Sequence, residues 1–151
     1  LEDGRYAASL DPTKSLQPPE PKAEVPFFNF APLQNATTRL QESATAFESA
    51  RAVATPTGVA LQKLNKHLYT SERLLTRKQG LPGRPWYRHH IYAPGFYTGY
   101  GAKTFPGVRE AIEQRRFAQV DEQIILVAGI LSDFAARLDE AQSLLAAAAK
   151  D

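Results

Sequence analysis

The fold depends on residues 79–107, which read QGLPGRPWYRHHIYAPGFYTGYGAKTFPG. This stretch contains the only Trp, four of the six Tyr and four of the 11 Pro of the chain. Each proline fixes φ and removes a backbone donor, so the stretch cannot form a regular helix. Its aromatic content is too high for a free linker. The sequence therefore predicts a long ordered loop, and ordered loops of about this length are usually functional.

Helical patterns flank the loop on both sides. Apolar residues recur at three-, four- or seven-residue steps and predict a first helix over residues 31–54 and a second over 57–77. Asn29 is the expected N-cap of the first helix, and Gly80 is expected to end the second. Pro106 opens a short helix to about residue 115, and the longest helix follows over 118–148.

No strand pattern competes with these helices. The predicted fold is all-α, a four-helix-bundle-like domain with the long Pro/Gly/aromatic loop between the second and third main helices. The last helix has an apolar face too broad for one seam, so it must be covered on more than one side. We expect the core, and part of a surface that pairs with a second copy, to be formed by Leu33, Leu40, Phe47, Ile124, Val127, Leu131, Phe134 and Leu138.

Length and composition limit the possible classes of protein. A chain of 151 residues fits one domain with a real core. The formal net charge of +2 gives no whole-molecule field that favours nucleic acid or a membrane surface, and the absence of Cys excludes disulfides and thiolate chemistry. We interpret the proline-rich residues 1–26 as a weakly structured extension and residues 27–151 as the domain. Since the chain begins at Leu1 and lacks Met, we expect it to be excised from a longer parent protein.

The sequence contains no recognisable catalytic constellation. The pair His89-His90 is the best candidate for a metal site, but adjacent residues in an extended loop point to opposite sides, and no HExxH motif accompanies them. We therefore predict that His89 is a hydrogen-bonded structural residue and that the chain binds no metal. A sequon at Asn35 matters only if the parent enters a secretory pathway.

A run of cations interleaved with aromatic side chains allows two interpretations. Stacked aromatic rings beside cations can hold single-stranded nucleic acid. Alternatively, Arg84 and Arg88 pair with carboxylates inside the protein while Trp86 and Tyr87 pack on the bundle. Because the overall charge is balanced, we favour the second interpretation and predict no nucleic-acid partner. The cations of this run are Arg73, Arg77, Lys78, Arg84 and Arg88.

Four motifs of the loop carry a family resemblance: RPWYRH at 84–89, IYAP at 91–94, Tyr100, and FPG at 105–107. Together they resemble the signature of the transferrin-receptor-like dimerisation domain, the C-terminal helical domain of the glutamate carboxypeptidase II (prostate-specific membrane antigen) family. The likeness covers roughly residues 27–148. It implies a bundle that forms most of a homodimer interface, with a loop that folds over the active-site cleft of a separate protease domain.

The resemblance also implies that catalysis belongs to another domain of the parent protein. Two zinc ions and the general base belong to the protease domain, so this chain alone is expected to hold no cofactor and to be no enzyme. Its implied partners are a second copy of itself and the parent's protease domain, without direct membrane contact. An extracytoplasmic or secreted location is the one that the family favours. The rival hypothesis is a stand-alone helical interaction or scaffold domain, related to transferrin receptor and without peptidase activity.

In carboxypeptidases of the family, neighbouring Lys and Tyr side chains of the loop hold the terminal glutamate of the substrate. The Tyr falls on Tyr100, whereas Gly99 stands at the Lys position and Lys103 lies four residues beyond it. The resemblance thus implies substrate contact by Tyr100 with half of the carboxylate site missing. A lost charge-assisted bond costs on the order of 1.5–3 kcal/mol of binding. The residues expected to fix the shape of the loop are Arg84, Trp86, Tyr87, Arg88, His89 and Tyr92.

Overall fold

A computed structural model describes residues 21–148, and it is mainly helical. The four helices confirm the prediction of an all-α, bundle-like domain, and most of the predicted extension over residues 1–26 lies outside the described residues. Within residues 21–148, no helix combines the length and apolar character needed to cross a membrane. In chain order the elements are α1 (Ala31–Val53), α2 (Gly58–Tyr69), β1 (Tyr92–Pro94), β2 (Ala102–Thr104), α3 (Pro106–Glu113) and α4 (Val120–Ala148).

Helix α4 is central, because the other three helices all pack against it. One apolar cluster joins the first half of α4 to the start of α1, represented by Leu33, and to α3, represented by Val108 and Ala111. A second cluster joins the end of α4 to α1 and α2 through Leu64, Ala141 and Leu145. The starts of α1 and α4 share the first cluster and their ends share the second, so these two helices run in the same direction. Helix α2 runs opposite to α4, because its start lies beside the end of α4.

The ends of α1 and α2 follow from local hydrogen bonds. The N-cap of α1 is Phe30, one residue later than the predicted Asn29, and the Asn29 side-chain oxygen accepts the N–H of Ala31 at 3.0 Å just before the helix. The prediction that the second helix continues to residue 77 is wrong. The hydroxyls of Thr70 and Ser71 donate to the carbonyl of His67, and the backbone then tightens into a 3₁₀ turn over Ser71–Leu75. Side chains of this kind offer helical carbonyls an alternative partner.

The loop contains the one sheet of the described residues, which the sequence pattern did not predict. Strands β1 and β2 pair antiparallel, with Tyr92 opposite Thr104 and Pro94 opposite Ala102. At three residues each, the strands are too short to show a two-residue periodicity. An isolated bridge between Thr76 and His89 ties the start of the loop to its middle. The loop therefore contains several short antiparallel pairings, and Ile91 and Phe105 beside the strands pack against the first apolar cluster.

Candidate functional site

A buried ion pair lies at the base of the loop. Nη2 of Arg84 is 2.7 Å from Oε1 of Glu110 in α3, and the two side chains are only 4% and 2% exposed. The same carboxylate oxygen accepts the N–H of Phe96 at 2.8 Å, while Nη1 of Arg84 donates to the carbonyl of Pro94. Buried charges are tolerated when they are paired and hydrogen-bonded in this way. Three segments of the chain, at Arg84, at residues 94–96 and in α3, thus meet at one pair of charges.

Two aromatic rings cover the Arg84 guanidinium. Its carbon lies 5.1 Å from the ring centroid of Tyr87 and 5.7 Å from that of Phe96. Both distances lie within the range of attraction between a cation and the face of an aromatic ring. Arg84 therefore connects the first half of the loop with the residues that follow β1.

The two histidines have different environments, as expected for neighbours that point to opposite sides. Nδ1 of His89 accepts the backbone N–H groups of Ile91 and Tyr92 at 3.3 and 3.2 Å, and its ring lies against Tyr92 with centroids 4.2 Å apart. His90 is fully buried, and neither of its ring nitrogens has a hydrogen-bond partner among residues 21–148. Burial, with the nearby Arg77 and His89, lowers the pKa of His90.

The tip of the loop, residues 95–101, presents aromatic side chains to solvent. The N–H of Gly95 donates to the carbonyl of Gly101 at 3.0 Å and closes the tip. Tyr97 is 80% exposed and Tyr100 is fully exposed. Gly99 has a φ of +58° and open space where a Cβ would stand, so no neighbour restricts the position beside Tyr100.

The tip itself contains no charged side chain, and the closest cation in sequence is already paired. Lys103, in β2, is hydrogen-bonded to Glu113 of α3, which also accepts from Nε of Arg109 at 2.9 Å. These hydrogen bonds, the one from Lys103 first, lower the pKa of the Glu113 carboxyl. Lys103 is thus engaged with α3.

The basic run of the loop is divided between internal pairs and solvent. Arg84 is buried against Glu110, and Arg77 pairs with Asp133 of α4 at 2.7 Å. Arg88 is exposed without a carboxylate partner among residues 21–148, contrary to the interpretation that it pairs internally. The packing of Trp86 on the bundle is also wrong, since its side chain is 72% exposed. Leu81, only 2% exposed, occupies the buried position of this turn instead.

The residues predicted for the core and dimer face are either buried or of intermediate exposure. The first cluster contains Leu33, Ile124, Val127 and Leu131, with Leu40 partly buried against it. Phe47 packs partly buried against the second cluster. Phe134 and Leu138 keep intermediate exposure on α4.

The buried Glu110 was not singled out from the sequence, and His90 was considered there only as half of a metal-site candidate with His89. Glu110 lies in a short amphipathic helix in which a carboxylate ordinarily faces water, and only the demand of a buried Arg84 for a partner could have indicated its role. No group of three or more His, Asp or Glu side chains that could hold a metal occurs in the described part of the chain. The geometry is suited to holding and presenting the tip.

Comparison with known proteins places this chain in a family. The Transferrin receptor-like dimerisation domain matches residues 28–139, and the chain belongs to that family. A relative from Arabidopsis thaliana, "Probable glutamate carboxypeptidase LAMP1", is 48% identical over 56 residues, which are 37% of this chain and 8% of the relative. A "Probable glutamate carboxypeptidase" from Arthroderma benhamiae is 43% identical over 82 residues, covering 47% of this chain and 11% of the relative. The chain therefore matches about a tenth of the length of these relatives.

Proposed function

We propose that the chain is the homodimerisation and substrate-lid module of a longer, zinc-dependent exopeptidase of the glutamate carboxypeptidase kind. It contributes no catalytic residue, and the zinc ions belong to the protease domain of that parent. The observation that carries the proposal is the exposed aromatic tip, held by the buried Arg84–Glu110 pair on a helical scaffold. Membership of a dimerisation-domain family and the names of the two relatives support the same proposal.

In this proposal the tip covers the active-site cleft, and the Tyr100 hydroxyl donates a hydrogen bond to the substrate. The side chain is fully exposed, as it must be to reach another domain. Gly99 leaves the neighbouring position without a cation, and Lys103 is paired with Glu113. We therefore expect weaker selectivity for acidic C-terminal residues than a Lys-Tyr pair would give, since one charge-assisted bond is missing.

Self-association requires apolar surface that the fold leaves uncovered. Three aliphatic side chains on different helices meet this condition: Val53 of α1 is 86% exposed, Val59 of α2 66% and Ile125 of α4 59%. Association buries apolar area of this kind and is favoured by it. The outer surfaces of the helices are thus available for a second copy while the tip faces the protease domain.

Light scattering across a concentration series tests the dimerisation role. We expect a mass of about 33 kDa, twice the 16.7 kDa of one chain. Ile125→Asp, Val59→Asp and Val53→Asp then locate the interface, because a charge at its centre weakens association. Arg88→Asp on the loop is the matched control and should leave the mass unchanged. A monomer at every concentration would contradict dimerisation through this chain alone.

Kinetics of the full-length parent test the lid role. Tyr100→Phe removes one hydrogen bond to the substrate and should lower kcat/KM about fivefold. Tyr69→Phe is the matched control, because Tyr69 is 78% exposed on α2, outside the loop. Equal kinetics for both variants would remove the lid role without affecting dimerisation.

The rival proposal is a helical interaction or scaffold domain without peptidase activity, and Gly99 at the Lys position favours it. The gene sequence upstream of Leu1 distinguishes the two. A continuous reading frame for an alternating strand–helix domain with His, Asp and Glu metal ligands supports the exopeptidase. A frame without such a domain supports the scaffold.

A further inference from the structure

We infer that Glu110 is the positioning residue of the aromatic tip: its carboxylate fixes the tip on α3, so that tip and helix move as one body. This inference rests on the proposed lid role and identifies the residue that sets the lid's conformation. Glu110 makes no contact with substrate or metal in this proposal. It acts through Arg84 and through the backbone of Phe96.

The hydrogen bonds of the tip show why an outside support is needed. Its backbone bonds join Gly95 to Gly101, Gly99 to Gly95 and Tyr100 to Thr98, all within the tip itself. They give the tip a shape but do not attach it to the helices. Within the described residues, side-chain bonds from α3 attach the β1–β2 hairpin to that helix, while Ile91 and Phe105 beside the strands pack against the first apolar cluster.

Helix α3 supports the two arms of the hairpin with two carboxylates three residues apart. Glu110 accepts the N–H of Phe96, on the arm that follows β1, and Glu113 accepts from Lys103 in β2. Residues three apart lie on the same face of a helix. The two supports differ in burial: the Glu110 side chain is 2% exposed, whereas that of Glu113 is 40% exposed.

Burial determines which support controls the tip. An exposed ion pair is weakened by solvent and salt, whereas a buried one leaves an uncompensated charge when either partner is lost. Oε1 of Glu110 also accepts two hydrogen bonds, one from Arg84 and one from the Phe96 amide. Loss of its charge therefore loosens the tip and the Arg84 side chain in one step. The helix is in turn fixed to α4 by the fully buried Ala111.

Amide hydrogen exchange on the intact chain tests this inference, with Glu110→Gln as the variant and Glu113→Gln as its matched control. Replacing a charged acceptor by a neutral one should make the Phe96 amide exchange about tenfold faster. The control should change that rate less than about twofold, because its pair is exposed. Amides of α1 and α4 should keep their rates in both variants. Glu110→Asp retains the charge and should restore part of the protection.

An unchanged Phe96 rate in Glu110→Gln overturns the inference, and so does an equal effect of Glu113→Gln. If Glu110→Gln fails to fold, Arg84→Lys is the second variant. It keeps the charge but loses the two-pronged geometry, so the Phe96 amide should again exchange faster. Steady-state kinetics of the full-length parent then separate this inference from the lid proposal. A higher KM for Glu110→Gln, with dimer mass unchanged, supports both. Faster exchange with unchanged kinetics supports the positioning role and overturns the lid.

Discussion

The helical scaffold and the long loop that precedes α3 are stabilised in different ways. The scaffold is held by apolar burial along α4, where Val120, Val127 and Ala135 are fully buried. The loop buries few apolar side chains and is held by individual polar contacts, above all the Arg84–Glu110 pair. Apolar burial is non-directional, whereas hydrogen bonds fix an orientation. The scaffold can therefore tolerate repacking of its apolar side chains, whereas the conformation of the loop depends on a few polar atoms in defined positions.

Truncating the scaffold core should give the largest effect. Ile124 is 1% exposed in the first cluster, so Ile124→Ala leaves a cavity and should lower the free energy of unfolding by about 2–5 kcal/mol. The neighbouring Ile125 is 59% exposed, and Ile125→Ala should change it by less than about 0.5 kcal/mol. Urea denaturation measures both. Similar losses would show that burial along α4 does not dominate the stability of the scaffold.

Two glycines of the loop separate the effect of backbone conformation from that of packing, because both have positive φ but different surroundings. At Gly80, with φ +65°, an added Cβ would lie 2.2 Å from the carbonyl oxygen of Pro85. Gly80→Ala should therefore cost about 2 kcal/mol or more, the left-handed penalty plus the backbone displacement. Gly99 has open space, so Gly99→Ala should cost only about 1 kcal/mol. Equal shifts of the melting temperature in the two variants would mean that the strain of a positive φ alone determines the loss of stability.

The buried His90 should make stability depend on pH. Its pKa is lowered from 6.5 in the folded state, chiefly by burial, so the folded protein prefers the neutral ring. The unfolded chain takes up a proton as pH falls through about 6.5, and stability declines there while staying level at higher pH. Denaturation midpoints between pH 5 and pH 8 should show this decline, and His90→Gln should flatten it. A slope that persists in the variant would assign it to another group.

The smallest effect is expected at the exposed pair of Arg77 and Asp133. Although the distance of 2.7 Å equals that of the buried pair, the Asp133 side chain is 55% exposed. Asp133→Asn should lower the free energy of unfolding by about 0–1 kcal/mol, and by less at high salt. A loss of about 3 kcal/mol or more, the size expected when one partner of a buried pair is removed, would show that burial does not separate the two pairs.

Much of the scaffold could be predicted from periodicity. The expected first helix differs from α1 by one residue at its end, Pro106 does begin α3, and the long last helix begins two residues later than expected. These boundaries depend on local chemistry, such as proline at a first turn or an Asn side chain that accepts a backbone N–H. The end of α2 was predicted eight residues too late, because apolar spacing does not show where Thr70 and Ser71 bond to helical carbonyls.

The candidate site was predictable only in part. The sequence located the loop and singled out Arg84, His89 and Tyr100, but not the carboxylate that Arg84 requires. Glu110 lies 26 residues from Arg84, and a contact at that separation leaves no periodic pattern. The exposure of Trp86 was missed for a related reason, since hydrophobicity alone does not show which of several apolar residues a turn buries.

The sequence by itself determined the helical class, the position of the ordered loop and the family motif, because proline, glycine and apolar spacing act on the backbone locally. Only the tertiary structure decided which charges are buried, which aromatic residues face solvent and how the tip is attached to α3. The attachment of the tip depends on Arg84 and Phe96, which lie 26 and 14 residues from Glu110 in the chain and share one of its carboxylate oxygens. The sequence shows the same carboxylate group whether it lies on a surface or in a core. The strength of its hydrogen bonds and ion pairs is set by the exclusion of water around it.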